Sequence, residues 1–381
     1  MLKMSFPFKN VAIIFGTRPE AIKLFILYRD LKTYCNCKLV FTGQHPDMIQ
    51  DILDLFEIDD CIFLEKPCSS SLSHLSSDIL KSCDEYFRKE ITDLVVVQGD
   101  TASAYFSALA AFHRHIPIAH VEAGLRSGNN HEPWPEEVYR KALSQISTFH
   151  FAPTLLAKKA LLNEKFNPKS MWVTGNSVID ALCFVLEKIK ASQHLISPLK
   201  SNLKKKNLDI QKPFFLITFH RRENWHEPLS NFLKSLVVIQ RHFPDHFFVW
   251  PLHPNQDLQA KIKSYLSKHE RFIFLAPQPY LSFVALMKAS DLILSDSGGI
   301  QEEVTFLKKP MILLRNCSER PESFESGWVK ASSTALNELL ENINTHLNET
   351  HRLSDTPCPF GDGQASKKII QALLSTTPQN V

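Results

Sequence analysis

Apolar residues along this chain come in short unbroken runs rather than in strict alternation. Runs rich in β-branched and aromatic residues occupy 11–15, 38–42, 94–98, 118–121 and 172–174, then 214–218, 247–251, 272–275, 292–295 and 311–314. A run of four or five apolar residues without alternation suits a strand covered on both faces. The amphipathic stretches between the runs supply crossover helices, so the pattern predicts parallel sheets. The expected fold class is α/β, with two Rossmann-like, doubly wound domains facing across a cleft. The periodicity lapses near 188–212, where Ser, Lys and Asn take over, and a linker is expected there. The domains are accordingly read as 1–190 and 191–364. An irregular stretch at 354–364, with Pro357, Pro359, Gly361 and Gly363, precedes a last amphipathic segment, 365–381, expected to pack back onto the first domain.

Length agrees with this division, because 381 residues exceed one ordinary core and suit two. Composition excludes other classes. With 44% hydrophobic and 22% charged residues the chain reads as a soluble globular protein, and no apolar run approaches the ~20 residues needed to span a bilayer. Lys9 and Asn10 interrupt the apolar opening segment, so a signal peptide is not expected and a cytoplasmic location is. A net charge of +3 is too small for a nucleic-acid partner. The eight cysteines form no CxxC pair and no metal spacing with histidine, and are expected as buried, reduced thiols.

The polar and glycine-containing clusters sit immediately after the expected strands, at Gly16-Thr17-Arg18, Gly43-Gln44-His45, Gly99-Asp100, His220-Arg221-Arg222 and Ser297-Gly298-Gly299. Open parallel sheets bind ligands outside the carboxyl ends of their strands, so both domains offer a binding edge. In LILSDSGGIQEEV, a strand leads through Ser297, Gly298 and Gly299 into a helix whose first N–H groups can hold phosphate. Glu302 or Glu303, one turn on, could accept from ribose hydroxyls. Arg18, Lys23 and Arg320 supply cations suited to a diphosphate. Asp100, Glu122 and the Glu136-Glu137 pair could provide an acid and a base at one edge. His220 adds a group that titrates near neutrality.

Taken in order, GTRPEAIK at 16–23, GQH at 43–45, QGDT at 98–101, HVEAGLR at 120–126, PWPEE at 133–137, HRREN at 220–224, HPN at 253–255, DSGGIQEE at 296–303, ERPE at 319–322 and GDGQAS at 361–366 resemble the non-hydrolysing UDP-N-acetylglucosamine 2-epimerases. The resemblance spans nearly the whole chain. It implies a GT-B-like fold, a homodimer, a UDP-sugar substrate, and neither a nicotinamide cofactor nor a required metal. It places UDP on Arg18, Lys23, Gln278, Phe283, Ser297, Gly298, Gly299, Glu303 and Arg320, and catalysis on Asp100, Glu122, Glu136 and His220. It also implies a regulatory UDP-sugar site touching Gln44 and His253. The reaction implied is anti elimination of UDP to 2-acetamidoglucal and re-addition, interconverting UDP-GlcNAc and UDP-ManNAc for cell-surface polysaccharide precursors.

Departures from the family pattern are Val138 and Tyr139 in place of Ala and Asn, Pro46-Asp47 after GQH, and His226 at a frequent glycine. They put the regulatory site in doubt. The other readings weighed are a 2-epimerase of a 2,3-diacetamido or 6-deoxy UDP-sugar, a hydrolysing epimerase, a GT-B glycosyltransferase and an inactive UDP-sugar sensor. Fold alone does not separate these.

Overall fold

The computed structural model describes residues 6–46, 49–68, 71–219, 221, 224–315, 318–349, 353 and 356–376. Contacts divide the chain into two compact units, Met1–Cys183 with Phe360–Val381, and Phe184–Pro359. Among the described residues the first unit holds seven strands: β1 (Asn10–Phe15), β2 (Asn36–Phe41), β3 (Cys61–Phe63), β4 (Leu94–Gln98), β5 (Ile118–Val121), β6 (Phe149–Ala152) and β7 (Met171–Val173). They form one sheet in the order β3-β2-β1-β4-β5-β6-β7, with every pairing parallel. Among the described residues the second unit holds six strands: β8 (Phe214–Thr218), β9 (Phe247–Pro251), β10 (Phe272–Leu275), β11 (Leu292–Ser295), β12 (Met311–Leu313) and β13 (Val329–Ala331). Their order is β10-β9-β8-β11-β12-β13, again all parallel.

Each sheet grows outward in both directions from its first strand, so the winding reverses between β1 and β4 and again between β8 and β11. Doubly wound sheets bind ligands at that reversal, outside the strand carboxyl ends. The central strands are apolar on both faces, as helices on both sides require. All of Leu94–Gln98 and Phe214–Thr218 is buried.

Two helix starts in the first unit are held by side chains. Thr101 accepts from the Ala104 N–H at 3.0 Å, opening the helix Ala102–His113, and an N-cap of this kind contributes about 1 kcal/mol. Asp180 performs the same service at long range. It accepts from the N–H groups of Ala365 at 3.0 Å and Ser366 at 2.9 Å, which fixes the start of the helix Ala365–Leu374. That helix packs against the helix Arg18–Leu31 of the same unit.

The structure differs from the sequence expectations in places. β3, β6 and β13 were not expected. β3 and β13 are three-residue edge strands and β6 carries His150, features shared with β7 and with His120 of β5, which the apolar runs do mark. The polar stretch near 188–212 is largely helical, with the helix Ser197–Lys204 in its middle. Ile196, Leu199, Leu203 and Leu208 are buried there, spaced among lysines and serines that hide them. Of the cysteines, Cys37 and Cys83 are buried as expected while Cys68 is exposed; Cys317 lies outside the described residues. Among the described residues, no helix is long and apolar enough to cross a membrane.

Candidate active site

At the reversal in the first sheet, the loops after β1, β2 and β4 are tied together. Gly16 lies so close to the start of the helix Ala102–His113 that a Cβ there would stand 1.8 Å from Ser103 Oγ and 2.3 Å from Thr42 Oγ1. Only glycine permits this approach. Ser103 Oγ also lies 2.6 Å from Thr42 Oγ1, and it donates to Gln44 Oε1 at 2.7 Å.

Glu20 completes the knot. Its Oε2 accepts from Gly16 N at 3.1 Å and Thr17 Oγ1 at 2.7 Å, and its Oε1 accepts from Thr101 Oγ1 at 2.7 Å. The Thr17-x-x-Glu20 spacing is that of a capping box, but here the Thr17 hydroxyl donates to the Glu20 carboxylate instead of capping the helix. Burial pushes the Glu20 carboxyl up to about 7, against the opposing pull of these hydrogen bonds.

Two of the expected carboxylates stand at the ends of adjacent strands, because Gln98 of β4 pairs with Val121 of β5. Glu122 has φ 67°, in the left-handed region that costs a residue with a Cβ roughly 1–2 kcal/mol. Its carboxylate is ion-paired with Lys23, and its Oε2 accepts from Asn176 Nδ2 at 2.8 Å. Asp100 Oδ2 accepts from Arg140 Nε at 2.9 Å and also from Arg140 Nη2. Arg140 Nη1 reaches Glu137 Oε2 at 3.2 Å, and Glu137 accepts the Ser127 N–H at 3.0 Å. A pocket of about 260 Å³ opens here, lined by Thr17, Gln44, His45, Asp100, Glu136 and Tyr139 among others. Tyr139 is held by stacking on Tyr105, centroids 5.5 Å apart.

In the second unit, the strand β11 ends at Ser295, and Asp296 to Gly299 lead into the helix Ile300–Leu307. Asp296 is fully buried and accepts from Arg221 N at 2.9 Å and Asn224 Nδ2 at 3.0 Å. It thereby joins the loops after β8 and β11, the two strands at the reversal of this sheet. A Cβ at Gly298 would stand 3.2 Å from Arg320 Nη1, 3.2 Å from Glu319 Oε1 and 3.3 Å from Arg315 Nη1, so two guanidinium groups, both ion-paired with Glu319, crowd the backbone at the helix start. Arg320 Nε donates to Glu302 Oε1 at 2.6 Å. Glu303 Oε1 accepts from Tyr280 Oη at 2.7 Å. Backbone N–H groups, a helix start and guanidiniums together suit a phosphate.

The structure thus brings Asp100, Glu136, Gln44 and His45 to one pocket and pairs Lys23 with Glu122. Arg18 opens the neighbouring helix and is half-buried. Gly298, Gly299, Glu303 and Arg320 gather in the second unit with Ser297, whose N–H donates to Ser295 Oγ at 2.9 Å. Phe283 is half-buried on the helix Tyr280–Ala289, and Gln278 just before it donates to Ala276 O at 2.8 Å. Gln44 and His253 belong to different units. His220 lies outside the described residues, as do Arg222 and Glu223.

Sequence reasoning passed over Glu20, Arg140 and Arg315. Glu20 carried a signal in the Thr17-x-x-Glu20 spacing, and Arg140 in its position four residues after Glu136, which puts both on one helix face. Arg315 follows β12 at the ligand-binding edge, the placement that marked Arg18 after β1.

Comparison with known proteins follows the same lines. The family model described as UDP-N-acetylglucosamine 2-epimerase matches residues 29–374. The chain is 39% identical over 375 residues, covering 96% of it and 99% of the relative, to the UDP-N-acetylglucosamine 2-epimerase of Neisseria meningitidis serogroup A. A crystal structure of the Neisseria meningitidis enzyme bound to UDP-GlcNAc superposes with a TM-score of 0.89 at 37% identity, covering 96% of this chain and 100% of that one. The Methanocaldococcus jannaschii enzyme in complex with UDP-GlcNAc and UDP gives 0.86 at 31% identity, covering 96% and 99%. Fold, motif order and near-complete coverage agree, and the chain belongs to the UDP-N-acetylglucosamine 2-epimerase family.

Proposed function

We propose that this protein interconverts UDP-GlcNAc and UDP-ManNAc without hydrolysis. The observation that carries the reading is the gathering of Asp100 and Glu136 on one pocket at the reversal of the first sheet, beside strand ends that also present the Lys23–Glu122 pair. Inverting C2 requires a group to take its proton from one face and a group to return a proton to the other, and paired carboxylates can do both. No carbonyl adjoins C2, so the proton is not acidic until the C1–O bond loosens. In the forward step a carboxylate takes the C2 proton, the C–H electron pair forms the C1=C2 double bond, and the C1–O bond breaks to release UDP. In the return step a proton is added to C2 from the opposite face and a UDP oxygen forms a bond to C1.

Charge develops on the leaving diphosphate, and preorganised donors at that place lower the barrier. The helix start at Gly298 and Gly299 with Arg315 and Arg320 is built for that load. The UDP assignment to Arg18, Lys23, Gln278, Phe283, Ser297, Glu303 and Arg320, and the catalytic assignment to Glu122 and His220, rest on the family motifs in which these residues stand. The same reading makes the protein a cytoplasmic homodimer that feeds cell-surface polysaccharide synthesis.

The test is incubation of the protein with UDP-GlcNAc alone, followed by separation of the nucleotides. UDP-ManNAc formed without any acceptor supports the proposal. Free ManNAc with stoichiometric UDP would place the protein on a hydrolysing branch, and turnover only with an added sugar acceptor would make it a transferase.

A further inference from the structure

The helix Glu136–Ile146 contributes more than the carboxylate at its first residue. Residues four apart share a helix face, so the helix that presents Glu136 to the pocket also presents Arg140 to the loop after β4. Arg140 is 4% exposed. Its guanidinium holds Asp100 through Nε and Nη2, both converging on Oδ2, and Nη1 turns back to Glu137 on its own helix. Glu137 is fully buried and is itself fixed by the Ser127 N–H at 3.0 Å and by Lys141 at 3.3 Å. A buried ion pair returns little net stability against the cost of desolvating both charges. The effect of this one is therefore geometric: a planar fork anchored from behind pins Asp100 Oδ2 in place and turns Oδ1 away from the guanidinium.

We propose that Arg140 is a positioning residue for the epimerisation, aiming the Asp100 carboxylate at the reacting sugar from an anchor on Glu137. The assignment rests on Asp100 acting in the reaction described above. Lysine cannot reproduce a two-nitrogen grip on one oxygen, so Arg140→Lys keeps the charge and loses the aim. Arg140→Met loses both.

Misplacement of a reacting group by a fraction of its contact distance costs on the order of 100-fold in rate. The expected result is that kcat falls on the order of 100-fold in Arg140→Met and roughly tenfold in Arg140→Lys, with KM and UDP affinity nearly unchanged in both. Because Arg140 acts through Asp100, the double variant Asp100→Asn, Arg140→Met should be no slower than Asp100→Asn alone. Added guanidinium should restore part of the rate of Arg140→Ala, a response that a purely structural residue does not give.

The assignment is overturned if the Lys and Met variants keep kcat within about threefold of the parent. It is equally overturned if the double variant shows the full product of the two single losses, or if the losses follow lowered thermal stability and guanidinium restores nothing. A parent protein that binds UDP but forms no epimer would mark failure of the epimerase reading instead, and would remove the role assigned to Arg140 with it.

Discussion

Glu20→Gln is the substitution whose outcome follows most directly from the structure. The Glu20 carboxyl is almost completely buried at 1% exposure, and burial raises it from 4.5 to about 7. Glutamine has the same shape and mimics the protonated acid, since its amide can donate to the Thr101 hydroxyl while its oxygen keeps the Gly16 and Thr17 donors. The folded state holds a proton on Glu20 between pH 4.5 and about 7 that the unfolded chain has released. Stability therefore falls as pH rises through that window, and the cost is complete above it. At about 1.4 kcal/mol per pKa unit, the shift amounts to about 3 kcal/mol. In a unit of about 200 residues each kcal/mol moves Tm by roughly 2–4 °C. Melting curves of parent and Glu20→Gln protein at pH 5, 6, 7 and 8 isolate the effect, because other titrating groups cancel in the difference. About 0.8 kcal/mol of the cost is already present at pH 5, so about 2.5 kcal/mol develops between pH 5 and pH 8, and the variant should gain on the parent by roughly 5–10 °C over that range. A difference that stays constant across this range would mean that Glu20 titrates as an ordinary carboxylate, and the argument from its burial would be wrong.

The other perturbations read separate parts of the first unit. Asp180→Ala removes the acceptor for the Ala365 and Ser366 N–H groups; it should cost about 1–2 kcal/mol and speed proteolytic clipping of the C-terminal helix before the core unfolds, whereas an unchanged cleavage rate would deny that cap its role. Gly16→Ala drives a methyl into Ser103 and Thr42, so it should destabilise by about 1–3 kcal/mol and lower turnover through the displaced Asp100 loop, and a variant equal to the parent in both would show that the loops can part freely.

How much of this was legible in the sequence differs by element. β4, β5, β8, β9, β10 and β11 have the bounds that the apolar runs indicated, because a strand buried on both faces writes a largely apolar signal, which the buried His120 of β5 does not erase. β6, with His150, and the three-residue edge strands β3 and β13 were missed, although β5 was read with His120 in it and β7 at the same length and an edge position. The helix Ser197–Lys204 was masked by its exposed lysine and serine positions, since its burial rests on Leu199 and Leu203. In the site, residues that follow strands were readable from position alone, as Asp100, Glu122 and Ser297 were. Arg140 and Arg315 were not, because their importance lies in a partner distant in sequence: Asp100, 40 residues away, for Arg140, and the Gly298 backbone for Arg315. Glu20 sits in a motif that was read for its cations, Arg18 and Lys23, and its near-neutral carboxyl emerges only when the fold closes over it.

The most direct test of the account is proton NMR of the protein with UDP-GlcNAc in deuterium oxide, following the C2 proton of the sugar and the anomeric signal of the epimer. The account predicts deuterium at C2 together with UDP-ManNAc, since the proton removed by one carboxylate must be replaced from solvent-exchanged groups on the other face. Epimer that keeps its original C2 proton, or a spectrum with UDP released and no epimer, would contradict it.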